Sequence, residues 1–175
     1  MNISSNTKIC ALAENLYITS FPKEERMPLL LMRLLALKQE IDFNCYYENG
    51  EFCGFTYMAS EGNVLFVLFF AVETKLRQKG YGSAILEYIK ENNPSKTIVL
   101  NVELLDETAD NYEERVKRFA FYTKNGFYDT GYDIEEIGGV FRVLSTSKNL
   151  NTDEYLRVFQ KMSFGLWNPR IMKVE

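Results

Sequence analysis

The sequence predicts a mixed α/β (α+β) fold built as one domain, and three observations carry that expectation. Residues 63–72, Asn-Val-Leu-Phe-Val-Leu-Phe-Phe-Ala-Val, are apolar at nearly every position, the pattern of a central strand covered on both faces. Residues 80–92 follow with Tyr81, Ala84, Ile85, Tyr88 and Ile89 at helical spacing. A strand-like run at 97–104 comes next, so the helix between the two strands makes a β-α-β crossover with parallel partners.

The remaining elements fall into place around this unit. A first helix is predicted over 9–19 and stops at Ser20-Phe21-Pro22. A second helical stretch spans 23–37, with Pro28 marking a restart or a kink. Its stripe of Met27, Leu30, Leu31, Leu34 and Leu35 reads as core packing. Strands at 42–48 and 51–59 precede the apolar one. Asn49-Gly50 is a two-residue hairpin signal and Glu61-Gly62-Asn63 a second turn, so the three strands form an antiparallel meander. After the polar loop 106–111, residues 112–124 read as a helix with Tyr112, Val116, Phe119 and Ala120 on one face and Gly126 as its cap. A final hairpin joins 127–134 to 140–145 through Gly138-Gly139. Residues 145–153 form a linker, Tyr155, Leu156, Phe159 and Met162 a short helix, and 164–171 an aromatic-rich tail. Residues 1–145 are thus expected to be the main domain, and 146–175 a C-terminal extension that packs on it or on a second subunit.

Composition bounds the function. The chain has 175 residues, 46% of them hydrophobic and 25% charged, as in an ordinary globular domain. No apolar run reaches membrane-spanning length, and the first residues lack the apolar core of a signal peptide, so a cytoplasmic protein without membrane association is expected. The formal net charge of −4 argues against nucleic-acid binding. There is no histidine, and Cys10, Cys45 and Cys53 lack paired ligand spacing. Zinc sites of the usual kind and His-dependent triads are thereby excluded, and the cysteines read as small hydrophobes.

The chemistry concentrates at the end of the apolar strand. There Arg77-Gln78-Lys79-Gly80-Tyr81-Gly82-Ser83 forms a basic turn that opens the helix. First-turn amides lack intrahelical acceptors and share the positive end of the helix dipole, so an anion can satisfy several together. Gly80 and Gly82 do not obstruct its approach, while Arg77 and Lys79 add charge. The competing reading is an ordinary strand-to-helix turn with a solvated basic edge. Neither a P-loop nor a full Gly-x-Gly-x-x-Gly is present.

Element order and two motifs together resemble the GNAT superfamily of acetyl-CoA-dependent N-acetyltransferases, over about residues 9–145. One motif is the Ala71-Val72 strand end followed by Arg77-Gln78-Lys79-Gly80-Tyr81-Gly82, similar to the family's Gln/Arg-x-x-Gly-x-Gly/Ala. The other, about 40 residues further on, is Phe121-Tyr122-Thr123-Lys124-Asn125-Gly126-Phe127, similar to Phe-Tyr-x-x-x-Gly-Phe. The resemblance implies the GNAT fold, with a central, mostly antiparallel mixed sheet splayed at the cofactor site and flanked by helices. It implies acetyl-CoA as co-substrate and no metal. Main-chain groups of Phe70, Ala71 and Val72 would pair with the pantetheine arm, and the amides of Gln78, Lys79, Gly80, Tyr81, Gly82 and Ser83, with Arg77 beside them, would hold the pyrophosphate.

Tyr122 aligns with the family's general acid, a phenol that protonates the leaving thiolate. Its alternative is a packed tyrosine with a satisfied hydroxyl. The strand at 64–70 lacks the glutamate that some relatives use as a base; Glu103, Glu24 and Glu25 are the candidates, against deprotonation by water. Arg115 and Arg118 replace the Asn and Ala of many relatives. Arg115 either reaches a ligand anion or pairs with Glu113, Glu114 or the acidic loop. Glu24, Glu25, Tyr47, Tyr57, Asp133 and Glu135 make an acidic and aromatic substrate side that favours a cationic small-molecule amine. A protein or peptide N-acetyltransferase and a non-catalytic CoA-binding sensor are the alternatives. A homodimer is one assembly open to the aromatic tail.

Overall fold

The computed structural model describes residues 1–6, 10–136 and 138–174. In chain order these form β1 (Ile3–Asn6), α1 (Ala11–Ser20), a 3-10 turn (Lys23–Glu25), α2 (Leu29–Leu35), β2 (Ile41–Glu48), β3 (Glu51–Glu61) and β4 (Val64–Val72). A second 3-10 turn (Thr74–Leu76) leads to α3 (Tyr81–Asn92), β5 (Thr97–Glu103), α4 (Tyr112–Lys124), β6 (Tyr128–Glu136), β7 (Gly139–Ser145), α5 (Thr152–Met162) and β8 (Arg170–Lys173). The strands are hydrogen-bonded in the order β1-β2-β3-β4-β5-β7-β6-β8, mostly antiparallel, with β4 and β5 parallel as the crossover requires. The mixed α/β class expected from the sequence is the class observed. Ile9, the start of the predicted first helix, lies outside the described residues. Among the described residues no helix is long and apolar enough to cross a membrane.

The chain divides into two compact units, Met1–Ser60 with Val67–Ser95, and Glu61–Phe66 with Lys96–Glu175. In the first, α1 buries Ala13, Leu16 and Tyr17. The Tyr17 ring meets Phe69 at 4.9 Å and Phe55 at 6.1 Å, and Phe55 stacks on Phe43 at 5.2 Å, so one face of β2, β3 and β4 carries an aromatic layer under α1. On α3, Ile85, Leu86 and Ile89 are buried and Tyr88 meets Tyr46 edge-on at 5.9 Å. The expected second helix is in fact two pieces. Pro22 precedes the 3-10 turn and Pro28 precedes α2, because each lacks an N–H and disfavours helical geometry in the residue before it. Strand β1 was not expected; Ile-Ser-Ser-Asn is short and polar, and its strand conformation comes from pairing with the β2 edge, Ile3 opposite Glu48 through Asn6 opposite Cys45.

In the second unit β4 pairs with β5 through Val64–Phe66 and Thr97–Val99. The residues expected to link the hairpin to the last helix stay tied to β5, since Thr146 N–H donates to the Ile98 carbonyl at 2.9 Å and its hydroxyl accepts from Ile98 N–H at 3.0 Å. The Asn151 side chain then caps α5 by accepting from Glu154 N–H at 3.2 Å. Tyr155, Val158, Phe159 and Met162 recur at i, i+3, i+4 and i+7 and are all buried. Phe159 packs against Phe66 at 5.1 Å, Tyr155 at 5.2 Å and Trp167 at 5.1 Å. Polar contacts flank this core: Glu154 accepts from Asn63 N–H at 2.9 Å, and Glu61 pairs with Lys161 at 2.6 Å. The tail continues into β8, antiparallel to β6 with Ile134 opposite Ile171.

Phe159 is fully buried with three aromatic neighbours, so Phe159→Ala is expected to cost about 3–5 kcal/mol. A urea melt checks this by a lowered midpoint; an unshifted midpoint contradicts the packing described.

Candidate active site

The end of β4 and the turn after it lie together in the first unit. Burial is continuous over Val64–Val67 and then alternates, with Phe69 and Ala71 buried and Leu68, Phe70 and Val72 half-buried. Strand β3 comes close at this point: a Cβ on Gly54 would lie 2.4 Å from the Ala71 carbonyl oxygen and 3.2 Å from Val72 Cα. Only a bare glycine allows that approach. Glu73 N–H donates to the Cys53 carbonyl at 2.8 Å, holding the strand end.

The chain then reverses through the 3-10 turn into a left-handed stretch. Gln78 has φ 62° and Gly80 φ 87°. For Gln78 the left-handed region costs about 1–2 kcal/mol, whereas glycine enters it freely. Gly80 is the N-cap of α3 and supplies no capping side chain. The ladder of α3 begins with Ala84 N–H to the Gly80 carbonyl at 3.0 Å, so the amides of Tyr81, Gly82 and Ser83 have no acceptor among the described residues. Arg77 braces the turn, donating to the Val72 carbonyl and to Ser20 Oγ, both at 3.3 Å. Lys79 is exposed. The Tyr81 phenol donates to Glu48 Oε2 at 2.6 Å, which holds Glu48 below the usual carboxylate range and raises Tyr81 to about 12. Its side chain thereby reaches the end of β2.

Glu24 and Glu25 stand in the 3-10 turn of the same unit, Glu24 exposed and Glu25 half-buried. Of the wider acidic and aromatic set, Tyr57 is buried and donates to the Met32 carbonyl at 3.2 Å, and Asp133 is tied to Arg142 at 2.6 Å. Those two are internal bracing.

Glu103 and Tyr122 belong to the second unit. Glu103 closes β5, where Oε1 accepts from the Asn111 amide at 3.0 Å and lies 3.4 Å from Arg115 Nε, while Oε2 pairs with Arg118. Arg115 also donates to Asn111 Oδ1 at 2.7 Å and to the Leu104 carbonyl at 2.9 Å. Of the partners expected for Arg115, neither Glu113 nor Glu114 is used. The pairing runs instead to Glu103 and to the last residue of the polar loop. Tyr122 is in the last turn of α4, half-buried between Phe121 at 5.2 Å and Phe127 at 5.7 Å. Burial raises its phenol to about 12, against the pull of the Arg118 charge. Its hydroxyl hydrogen-bonds to no described residue. Among the described residues no group of three or more His, Cys, Asp or Glu is placed to hold a metal.

The family described as acetyltransferase (GNAT) domain has a sequence profile that matches residues 40–129, from the residue before β2 into β6, and so includes both the glycine turn and Tyr122. The chain belongs to the GNAT acetyltransferase family. It is accordingly an N-acetyltransferase. Solved structures share the fold. A GNAT-family protein from Bacteroides thetaiotaomicron is 23% identical, with a TM-score of 0.69 over 89% of this chain and 92% of that one. An aminoglycoside 6'-N-acetyltransferase complexed with coenzyme A is 17% identical, with a TM-score of 0.64 over 86% and 99%. A ribosomal-protein alanine N-acetyltransferase from Escherichia coli is 14% identical, with a TM-score of 0.60 over 85% and 96%. No curated protein matches the sequence.

In this GNAT member the residue that sequence reasoning missed is Gly54. The signal was available, because a glycine inside an otherwise bulky strand, Glu51–Glu61, marks a close backbone approach. Gly54→Ala must push the Ala71 carbonyl away. The expected result is a loss of about 1–3 kcal/mol in a urea melt, as for an overpacked core. A variant with unchanged stability contradicts the close approach.

Proposed function

We propose that this GNAT enzyme transfers acetyl from acetyl-CoA directly to the primary amine of a small molecule. The observation that carries the reading is the left-handed turn at Gln78–Gly80, which leaves the amides of Tyr81, Gly82 and Ser83 open beside Arg77 and Lys79. These groups match a pyrophosphate: several N–H donors at a helix start, no Cβ on Gly80 and Gly82, and two cations. In the proposal the pantetheine arm pairs with main-chain groups of Phe70, Ala71 and Val72. A coenzyme A complex of a protein with this fold supports that assignment.

Tyr122 is proposed as the group that meets charge developing on sulfur. The amine attacks the thioester carbonyl carbon, the C–S bond breaks, and the thiolate takes a proton. A phenol at about 12 keeps its proton at neutral pH, so a donor is always present. It is also a weaker acid than an alkyl thiol of about 8.5, so its part is a hydrogen bond that strengthens as the bond breaks, with proton transfer late. Both oxygens of Glu103 already accept from an amide or an arginine. We therefore assign Glu103 to holding α4 against the end of β5, and loss of the amine proton to water. Glu24 and Glu25, on a short turn between two prolines, are proposed to attract a cationic amine.

Tyr122→Phe is expected to lower kcat about 10²-fold or more with coenzyme A affinity unchanged, measured by thioester cleavage and calorimetry. Unchanged turnover removes the assignment. For Glu103→Gln the same assay should show a change within about fivefold, the worth of a partly exposed ion pair. A hundredfold fall would make Glu103 the base.

The acceptor is tested by a thioester-cleavage panel of polyamines, aminoglycosides, amino acids and peptides. Turnover on small amines is the expected result. Turnover on peptides alone transfers the proposal to a protein N-acetyltransferase, an activity that a protein of the same fold carries. Binding of coenzyme A without turnover on any amine supports a sensor, and failure to bind coenzyme A overturns the reading.

A further inference from the structure

We propose that Cys10 and Cys45 are a modification site, a thiol pair that oxidant converts to an intramolecular disulfide joining the start of α1 to β2. The inference is independent of the acceptor and of the catalytic roles assigned above. It begins from position. Cys10 is the N-cap of α1, half-buried, with extended backbone at φ −114° and ψ 156°. Cys45 is fully buried in β2, paired across to Phe55 of β3. Their sulfur atoms are 3.5 Å apart, with no covalent bond between them. A disulfide needs about 2.05 Å, so the sulfurs must close by about 1.5 Å. Cys10 precedes the first helical residue, where a side-chain rotation does not have to carry a helix with it.

The two thiols differ in a way that sets the order of steps. Burial pushes the Cys10 thiol up, but the Ala13 and Leu12 amides at the helix start, the Tyr47 hydroxyl and the neighbouring Cys45 together bring it below its ordinary value. Burial raises Cys45 to about 12. Cys10 is therefore the nucleophile and Cys45 the resolving thiol. With hydrogen peroxide as the oxidant, the Cys10 thiolate attacks one peroxide oxygen and the O–O bond breaks. The products are a Cys10 sulfenic acid and, after proton uptake, water. Cys45 sulfur then attacks the sulfenic sulfur, the S–O bond breaks, and the Cys45 proton leaves with the hydroxyl as a second water. The two thiols are oxidised by two electrons and the peroxide is reduced by two. Cys53 stands apart from this pair: its thiol contacts the Glu51 carbonyl at 3.3 Å, and burial raises its pKa.

The test treats the reduced chain with a small excess of hydrogen peroxide, then blocks remaining thiols with N-ethylmaleimide in denaturant that exposes the buried Cys45 and Cys53, and maps peptides without reductant. The expected product has lost two hydrogen atoms, carries one maleimide on Cys53, and yields a Cys10–Cys45 linked peptide that dithiothreitol separates. Cys53→Ser should leave the link intact and Cys10→Ser should abolish it. Three maleimide additions after oxidant, a Cys10 sulfinate without a link, or a link that includes Cys53 would each overturn the proposal. Because Cys10 is half-buried at a helix start, Cys10→Ser is the variant least disturbed in folding. Cys53→Ser independently checks the pairing.

Discussion

Three backbone amides at the start of α3 have no acceptor among the described residues, and the turn that leaves them so is fastened to its neighbours at several points. An ordinary helix start would place Ser, Thr, Asp or Asn at the N-cap and satisfy one donor from within. Here the cap is Gly80 in a left-handed conformation, preceded by Gln78 in the same region. The cost of that geometry is carried by its surroundings: Arg77 fastened to the Val72 carbonyl, Glu73 fastened to Cys53, and the Tyr81 phenol drawn off to Glu48. In the proposed reading an anion collects these donors and recovers part of what the turn forgoes.

The second unit treats charge in the opposite manner. Glu103, Arg115, Arg118 and Asn111 satisfy one another, and Arg142 is held between Asp129 and Asp133. Charged groups so engaged tie the ends of β5, β6 and α4 to one another. The Tyr122 hydroxyl is the contrast, since its ring is packed between two phenylalanines while its polar atom bonds to no described residue. Packing fixes the ring, and the proposed role of Tyr122 rests on the hydroxyl that this leaves unengaged.

What could be read from sequence followed the strength of local signals. Apolar runs and helical spacing are properties of a few consecutive residues, so β4, α3 and α4 were legible nearly to their ends, and the glycine turn with them. Edge strands are different. Ile3–Asn6 and Arg170–Lys173 become strands by pairing with β2 and β6, partners far away in the chain, and nothing in four polar or mixed residues announces that. The same reason hid the partner of Arg115: a charge pattern shows which carboxylates are near in sequence, while Glu103 reaches it only because β5 ends beside α4. Cys10 and Cys45 looked like unrelated small hydrophobes for as long as 35 residues separated them on the page.

The chain contains one tryptophan, Trp167, and its ring lies edge-on against Phe159 at 88°. Trp167 also donates its backbone N–H to Ser163 Oγ at 2.9 Å, so the ring is held at the end of α5. Its emission is therefore a built-in optical gauge of the second unit. Loosening of α5 alters the indole environment directly, while the first unit, which holds the open amides of α3, has no indole of its own. A fluorescence melt and a far-ultraviolet melt of this protein thus sample different populations of residues, and their superposition is a measure of how cooperatively the two units unfold.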